Sequence, residues 1–243
     1  MSGDTRADGG ADATLRIERR DHGVVALWLN RPQARNALDG PLVSALQAAF
    51  EDPGARAFVL GSADRRCFCA GADLRLDDAD RAAVSERLYE LYRVMVTAPV
   101  PIVAVIDGPA VGGGAQLAVA SDVRVGGRGA SFRFPGPGHG LAVGAWALPS
   151  LVGRGRAVEL CLTMRTVDAV QAAQIGLLDR LVDDPVTVAL DQAAAFAQLD
   201  ASAAARVKAI TRDASGLLDA LEQERAGNAA WSGAVEALKR KRS

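Results

Sequence analysis

The chain has 243 residues, 49% hydrophobic and 5% aromatic, with 28 Lys and Arg against 29 Asp and Glu for a formal net charge of −1. That length buries a sizeable core packed on Ala, Val and Leu, while the near-neutral balance disfavours nucleic acid or an anionic membrane as partner. No run approaches the ~18 apolar residues of a membrane span, and the polar, acidic start MSGDTRADGGADA is no signal peptide, so a cytoplasmic protein is expected.

Residues 1–12, rich in Gly, Asp and Ala, are expected to lack structure. Thr14–Arg19 and Val24–Leu29 alternate like the strands of a hairpin, with Asp21–His22–Gly23 as the turn. Asp39 or Gly40 caps a helix with Pro41 in its first turn, running to about Phe50, and Ala57–Leu60 returns as a strand. Between Asp77 and Thr97 a helix places Leu88, Leu91, Tyr92 and Met95 at helical spacing, a stripe that reads as core or pocket wall. Pro101–Ile106 is short, β-branched and bounded by Pro and Gly, the pattern of a buried strand. Past Gly112, Gly113 and Gly114 comes a small-residue helix. Val119–Val125 and Ala130–Phe134 read as further strands, Gly153–Leu162 and Asp168–Ile175 as helices.

From Val186 onward the strand signal disappears, leaving helices over Val186–Gln198, Ala201–Arg212 and Leu217–Lys239. The alternation predicts an α/β fold of repeated ββα turns in a core over 13–185, followed by a helical region over 186–243. With little core left to cover, the apolar faces of these last helices suggest packing onto another subunit; a monomer with a helical lid is the alternative.

Three glycines at a strand-to-helix turn let backbone N–H groups approach a ligand at the positive end of a helix dipole. Neither GxxxxGK[ST] nor GxGxxG is present, so phosphate and dinucleotide loops are excluded and an oxyanion hole remains. A second donor fits CFCAGADLR (67–75), where Ala70, Gly71 and Ala72 again permit close backbone approach. Cys67, Cys69 and Cys161 form neither an even disulfide framework nor a CxxC pair, and none lies at metal spacing from a His. They read as reduced, buried thiols, and no metal is expected.

Four motifs, LNRPQARNAL (29–38), FCAGADL (68–74), DGPAVGGGAQLA (107–118) and LTMRTVDAVQAAQIGLLDRLV (162–182), occur in the order found in the crotonase, or enoyl-CoA hydratase/isomerase, superfamily, which the chain resembles over nearly its whole length. The resemblance implies the crotonase spiral, a trimer or paired trimers forming a hexamer through the C-terminal helices, and an acyl-CoA ligand. Coenzyme A enters as part of that ligand, and no separate cofactor is implied. The amides of Ala72 and Gly113 would form the hole for the thioester carbonyl. Ala34, Arg35, Ala70, Asp73, Leu74 and Arg75 would face CoA, with Leu141 and Trp146 at the acyl pocket. The basic tail Lys239–Arg242 stands where relatives approach a neighbour's CoA, but without their following Pro and aromatic residues.

Hydration of an enoyl thioester needs groups that move protons at the mouth of the hole. Matching the family's GGG-x-E-L puts Gln116 at its first catalytic glutamate, and matching F-x-x-P-E puts Gly136 at its second. Gln116 has no accessible pKa and Gly136 no side chain. No Asp or Glu occurs over 108–121 or 123–158 to replace them. Asp73 and Asp122 read as caps or structural ion pairs. His139 could serve as acid or base, or line the loop passively. The expected function is therefore an acyl-CoA binder or carrier in lipid metabolism that keeps the hole and does not hydrate. An active CoA-thioester enzyme (hydratase/isomerase, decarboxylase or hydrolase) using His139 is the alternative. The glycine-rich loops 136–140 and 144–146 are expected to leave a wide acyl channel.

Overall fold

In the computed structural model, residues 6–8 and 13–234 are described, the first three by their backbone alone. In chain order the first half comprises β1 (Arg6–Asp8), β2 (Leu15–Arg19), β3 (Val24–Leu29), α1 (Gly40–Phe50), β4 (Ala57–Ser62), α2 (Asp78–Thr97), β5 (Ile102–Ile106), β6 (Pro109–Val111) and α3 (Gly113–Ala120). The second half comprises β7 (Val123–Gly126), β8 (Ser131–Arg133), α4 (Leu148–Val152), α5 (Arg154–Thr163), β9 (Val167–Asp168), α6 (Ala169–Gln174), β10 (Arg180–Leu181), α7 (Pro185–Ala197), α8 (Ala201–Ala214) and α9 (Leu217–Asn228).

Aspartates start five of these helices. Asp39, Asp77, Asp168, Asp184 and Asp200 each accept a hydrogen bond from an amide in the first turn, and Pro41 and Pro185 stand where a helix needs no N–H. Seven strands form one sheet in the order β1-β2-β3-β4-β5-β7-β10; β1, β2 and β3 pair antiparallel, and β3 onward pair parallel. A second sheet, β6-β8-β9, stands apart and carries the glycine turn into α3.

The main sheet is buried on both faces, which its period-two pattern makes possible. Val25, Leu27 and Leu29 of β3 join the larger core with α1, α2 and α3, while Val24, Ala26 and Trp28 face the smaller one. Ala189, Ala193 and Ala197, a straight i, i+4 row on α7, close that second face. Helix α7 thus covers its own sheet, contrary to the expectation that helices beyond Val186 have little core left to cover.

Two further expectations are corrected. Arg6–Asp8, inside the stretch expected to lack structure, pairs with β2 in the register Arg6↔Arg19. Val119 and Ala120, which the sequence reads both as the end of the small-residue helix Ala115–Ala120 and as the start of a strand, complete the last turn of α3, and the strand begins at Val123. Burial of Leu117, Ala118 and Val119 against the larger core outweighs the β-branched propensity that suggested a strand. The expected helix to Lys239 is described as far as Asn228, and Lys239–Arg242 lie outside the described residues.

Candidate active site

Gly112 turns the chain from β6 into α3 with φ +54° and ψ −120°, a conformation that favours glycine, and its own amide donates to the Arg133 carbonyl at 2.9 Å. Gly113 follows as the first residue of α3, where no intrahelical acceptor exists. Its amide has no partner among the described residues. Facing it, residues 70–73 run beside 35–38 as a short ladder: Ala70 N to Arg35 O at 3.0 Å, Leu38 N to Gly71 O at 2.8 Å and Asp73 N to Leu38 O at 2.9 Å. In such a ladder the residue between two bonded neighbours turns its own N–H outward. That residue is Ala72, and its amide also has no partner among the described residues.

Gly71 packs the turn that carries Ala72 against the start of α3. At φ +88°, a Cβ added there would lie 2.7 Å from the Val111 carbonyl oxygen and 3.3 Å from Gly113 N. The residue next to the Ala72 amide thus abuts the Gly113 amide, an approach closed to any residue with a side chain. Two leucines and one hydroxyl surround Gly113: Leu38, Leu88 and Tyr92 Oη stand 3.2–3.3 Å from where its Cβ would be.

One turn further along α3 lies Gln116, 4% exposed. Its Oε1 accepts from Trp146 Nε1 at 2.7 Å and from Gly144 N at 3.3 Å. Trp146, buried, stacks on Tyr92 with centroids 6.1 Å apart, and Tyr92 donates to the Gly113 carbonyl at 3.0 Å. Burial pushes the Tyr92 hydroxyl far above its ordinary pKa, so it remains a donor.

A carboxylate does lean into this end, and the sequence reading missed it. Glu224, on α9, accepts from Tyr89 Oη at 3.0 Å and Gly144 N at 3.2 Å through Oε1, and from Trp146 N at 3.0 Å through Oε2. Burial raises its pKa, opposed by the amides of Gly144, Trp146 and Ala145 and by the Tyr89 hydroxyl. One turn on, Asn228 binds the same loop, accepting from Ala142 N at 3.0 Å and donating to Ala142 O at 2.7 Å. The available signal was the spacing Leu221, Glu224, Asn228, which is one helix face. With three to four donors on its two oxygens, Glu224 fixes the loop in place and has little acceptor capacity left to take a proton from water.

Gly136 is buried for a different reason from the one expected. A Cβ there would lie 2.6 Å from the Leu141 carbonyl oxygen and 2.6 Å from Val143 Cγ2, and one at Gly144 would lie 2.6 Å from Phe134 Cδ1. These glycines mark tight packing rather than a wide channel, and a glutamate at 136 would displace the Leu141 backbone. Leu141 is half-buried on this loop. His139 closes a one-turn helix at Gly136–His139; its Nδ1 is buried without a partner, and burial followed by the charge of Arg133 lowers its pKa. No hydrogen bond ties it to Ala72, Gly113 or Gln116.

On the expected CoA side, Arg35 meets Ala70 through the ladder described above, and Ala34 ends the one-turn helix Pro32–Ala34 just before it. Asp73, buried, pairs with Arg75 at 2.7 Å and Arg31 at 3.1 Å, and Arg31 also pairs with Asp39 at 2.9 Å. The Arg75 hydrogen bond above all holds the Asp73 carboxyl well below the usual range. Asp73 is thus an ion-pair anchor for the Ala72 loop, while Leu74 and Arg75 are exposed. Arg31 and Asn36 escaped the sequence reading although they lie in its first motif. Asn36 accepts from Arg31 N at 2.8 Å and donates to the Cys67 and Phe68 carbonyls, fastening the two loops together. Asp122 accepts from Ile102 N and Lys208 Nζ, both at 2.8 Å. Among the described residues no three His, Cys, Asp or Glu side chains cluster to hold a metal, and no helix is long and apolar enough to cross a membrane.

The chain is similar to known proteins over most of its length. A Mycobacterium leprae protein named "Probable enoyl-CoA hydratase echA6" is 41% identical over 169 residues, covering 65% of this chain and 68% of its own. The Mycobacterium bovis "Probable enoyl-CoA hydratase echA8" is 35% identical over 231 residues, 87% of each chain. A crystal structure of an enoyl-CoA hydratase/isomerase from Pseudoalteromonas atlantica superposes with a TM-score of 0.82 at 26% identity, covering 95% of this chain and 98% of that one. The family model for enoyl-CoA hydratase/isomerase matches residues 19–237, nearly the whole chain, which therefore belongs to that family.

Proposed function

We propose that the chain binds acyl-CoA thioesters of lipid metabolism, with the thioester oxygen between the Ala72 and Gly113 amides, and does not appreciably hydrate enoyl-CoA. The observation that supports this reading is that the Ala72 and Gly113 amides, on either side of the close contact at Gly71, both lack a partner among the described residues, while the resemblance aligns a carboxamide, Gln116, and a tightly packed glycine, Gly136, with the family's two glutamates. Two peptide donors polarise a carbonyl. Without a group to move the proton, the ~10² to 10⁴-fold that each acid or base contributes is missing. Arg35, Arg75 and the Ala70–Leu74 loop would take the CoA moiety.

The test is to mix the protein with crotonyl-CoA, follow loss of the conjugated thioester absorbance, and measure acyl-CoA and free CoA binding by calorimetry. Gly113→Pro removes one donor at the first helical position, where no protein acceptor is lost; its ring must shift Leu38, Leu88 and the Tyr92 hydroxyl by a few tenths of an ångström, so circular dichroism and free CoA binding check that the variant folds. Acyl-CoA affinity should fall about tenfold with free CoA unchanged. Rapid hydration by the wild type would refute the non-hydrating reading, and an unchanged acyl-CoA affinity would refute the hole.

The unpartnered Nδ1 of His139 favours the second reading, an active thioester enzyme; turnover of any CoA thioester that His139→Ala abolishes would establish it. A homotrimer or hexamer is supported by exposed apolar residues on α5 and α8, Val158, Leu162, Val207 and Ile210, and a cytoplasmic location by three free thiols. Mass measurement in solution checks the assembly.

A further inference from the structure

Arg81 stands in the first turn of α2, the end of a helix that disfavours a cation, and it is only 3% exposed. A buried guanidinium at that position is explained by its contacts and by nothing local. Nε donates to the Gly233 carbonyl at 2.8 Å. One terminal nitrogen donates to Leu76 O at 2.6 Å and to Leu74 O at 3.3 Å, and the other pairs with Asp78. Arg81 thus ties the loop that runs from Ala72 into α2 to the segment that follows α9. Among the described residues no other hydrogen bond joins 229–234 to 72–78.

At its start that loop is held by Asp73, through Leu38 and Arg31; beyond it, the Leu74 and Leu76 carbonyls have Arg81 as their one partner among the described residues. Gly233 meets α2 at the same place. At φ +83° a Cβ there would overlap the Asp78 carbonyl oxygen, an approach open to glycine alone. We propose that Arg81 is a positioning residue that makes the loop carrying the Ala72 amide depend on docking of the chain's own segment 231–234, a role whose functional sense rests on the acyl-CoA reading of that site. The planar fork of an arginine serves acceptors from separate segments at once, which the point charge of a lysine does not. Such coupling is reciprocal: a ligand that orders the loop tightens the segment, and a displaced segment loosens the loop.

The experiment is hydrogen exchange on the full chain, free and with octanoyl-CoA, beside calorimetry with octanoyl-CoA, for wild type, Gly233→Ala, Arg81→Lys and the double variant. Helix α2 is fixed by its Asp77 cap and by buried Val84 and Leu88, so the overlap in Gly233→Ala is relieved by moving the segment. That variant should speed exchange at 72–76 about fivefold and weaken octanoyl-CoA by a similar factor. Arg81→Lys keeps the charge and should loosen both segments. The double variant should be no worse than the more severe single one, because both changes cut one link. In wild type, octanoyl-CoA should slow exchange at 229–234 as well as at 72–76. Unchanged exchange at 72–76 in Gly233→Ala, additive losses in the double variant, or ligand protection confined to 72–76 overturns the proposal. Coupled exchange in a wild type that binds no octanoyl-CoA upholds the link and overturns the acyl-CoA reading. If Arg81→Lys does not fold, exchange at 72–76 in Gly233→Ala decides alone.

Discussion

Replacing Glu224 tests whether α9 is fastened to the site by its polar face. Glu224→Leu keeps the volume of the side chain but removes three hydrogen bonds, from Gly144 N, Trp146 N and Tyr89 Oη. Gly144 N keeps Gln116 as acceptor, but the Trp146 amide and the Tyr89 hydroxyl, which keeps only the bond it accepts from Asn228, are left with no acceptor. Two orphaned donors at about 1–3 kcal/mol each give a loss of about 3 kcal/mol or more. That is a large share of a typical stability of about 5–15 kcal/mol. Glu224→Gln retains one acceptor and, because burial already disfavours the charged form, should lose about 1 kcal/mol. Exposed Glu222, paired with Arg225 on the same helix, serves as control, and Glu222→Gln should stay within about 0.5 kcal/mol. Urea unfolding at fixed protein concentration measures all three. The pH dependence fixes the sign. A carboxyl whose folded pKa is raised contributes stability fully present below its unfolded value, about 4.3, and loses it as pH rises through the folded value. The gap between wild type and Glu224→Gln should therefore shrink from pH 4 toward neutrality. A Glu224→Leu loss no larger than the control's, or a gap that widens with pH, would refute this account of the loop.

Gly136→Ala forces a Cβ to 2.6 Å from the Leu141 backbone and should cost about 1–3 kcal/mol, seen as a lower urea midpoint. Gly140→Ala, at φ +77° with nothing within 4 Å, should cost only the left-handed conformer, about 1–2 kcal/mol, and leave the loop intact; a Gly140 variant that perturbs Trp146 fluorescence as Gly136→Ala does would contradict the packing argument. Asp73→Asn loses the charge that Arg75 and Arg31 bind, so it should be less stable than wild type by about 1–3 kcal/mol above the ordinary carboxylate range. Because that carboxyl's folded pKa is lowered, the difference should fade as pH drops below about 4, and a pH-independent difference in thermal melts would count against the ion-pair role.

What the sequence made legible was chemistry carried by the backbone over short spans. Gly112–Gly114 after an apolar strand and Ala70–Ala72 after another announce close approach of main-chain amides, and the structure has both turns. The stripe Leu88, Leu91, Tyr92, Met95 is buried along its length, as a 3.6-residue period demands. Less legible was whatever depended on a partner arriving from far along the chain. Glu224 meets Gly144 across 80 residues, and Arg81 reaches the Gly233 carbonyl across 152, so no local pattern reports either bond. The glycines of 136–144 illustrate the same limit: absence of a side chain reads identically whether it opens a channel or lets two backbones touch, and only the neighbours, Leu141, Val143 and Phe134, decide between them.

Gln116 shows how that limit bears on function. From its residue type alone, a carboxamide in place of a carboxylate is a loss, a group with no proton to exchange. Its neighbours change the meaning, because an amide has two unlike ends and the Trp146 and Gly144 donors dictate which end is used internally. The end left over is a donor, held by a network anchored through Glu224 and Tyr92 to the turn that carries the Gly113 amide. Residue type alone thus reports what Gln116 lacks, and only its neighbours report which end of the amide is engaged.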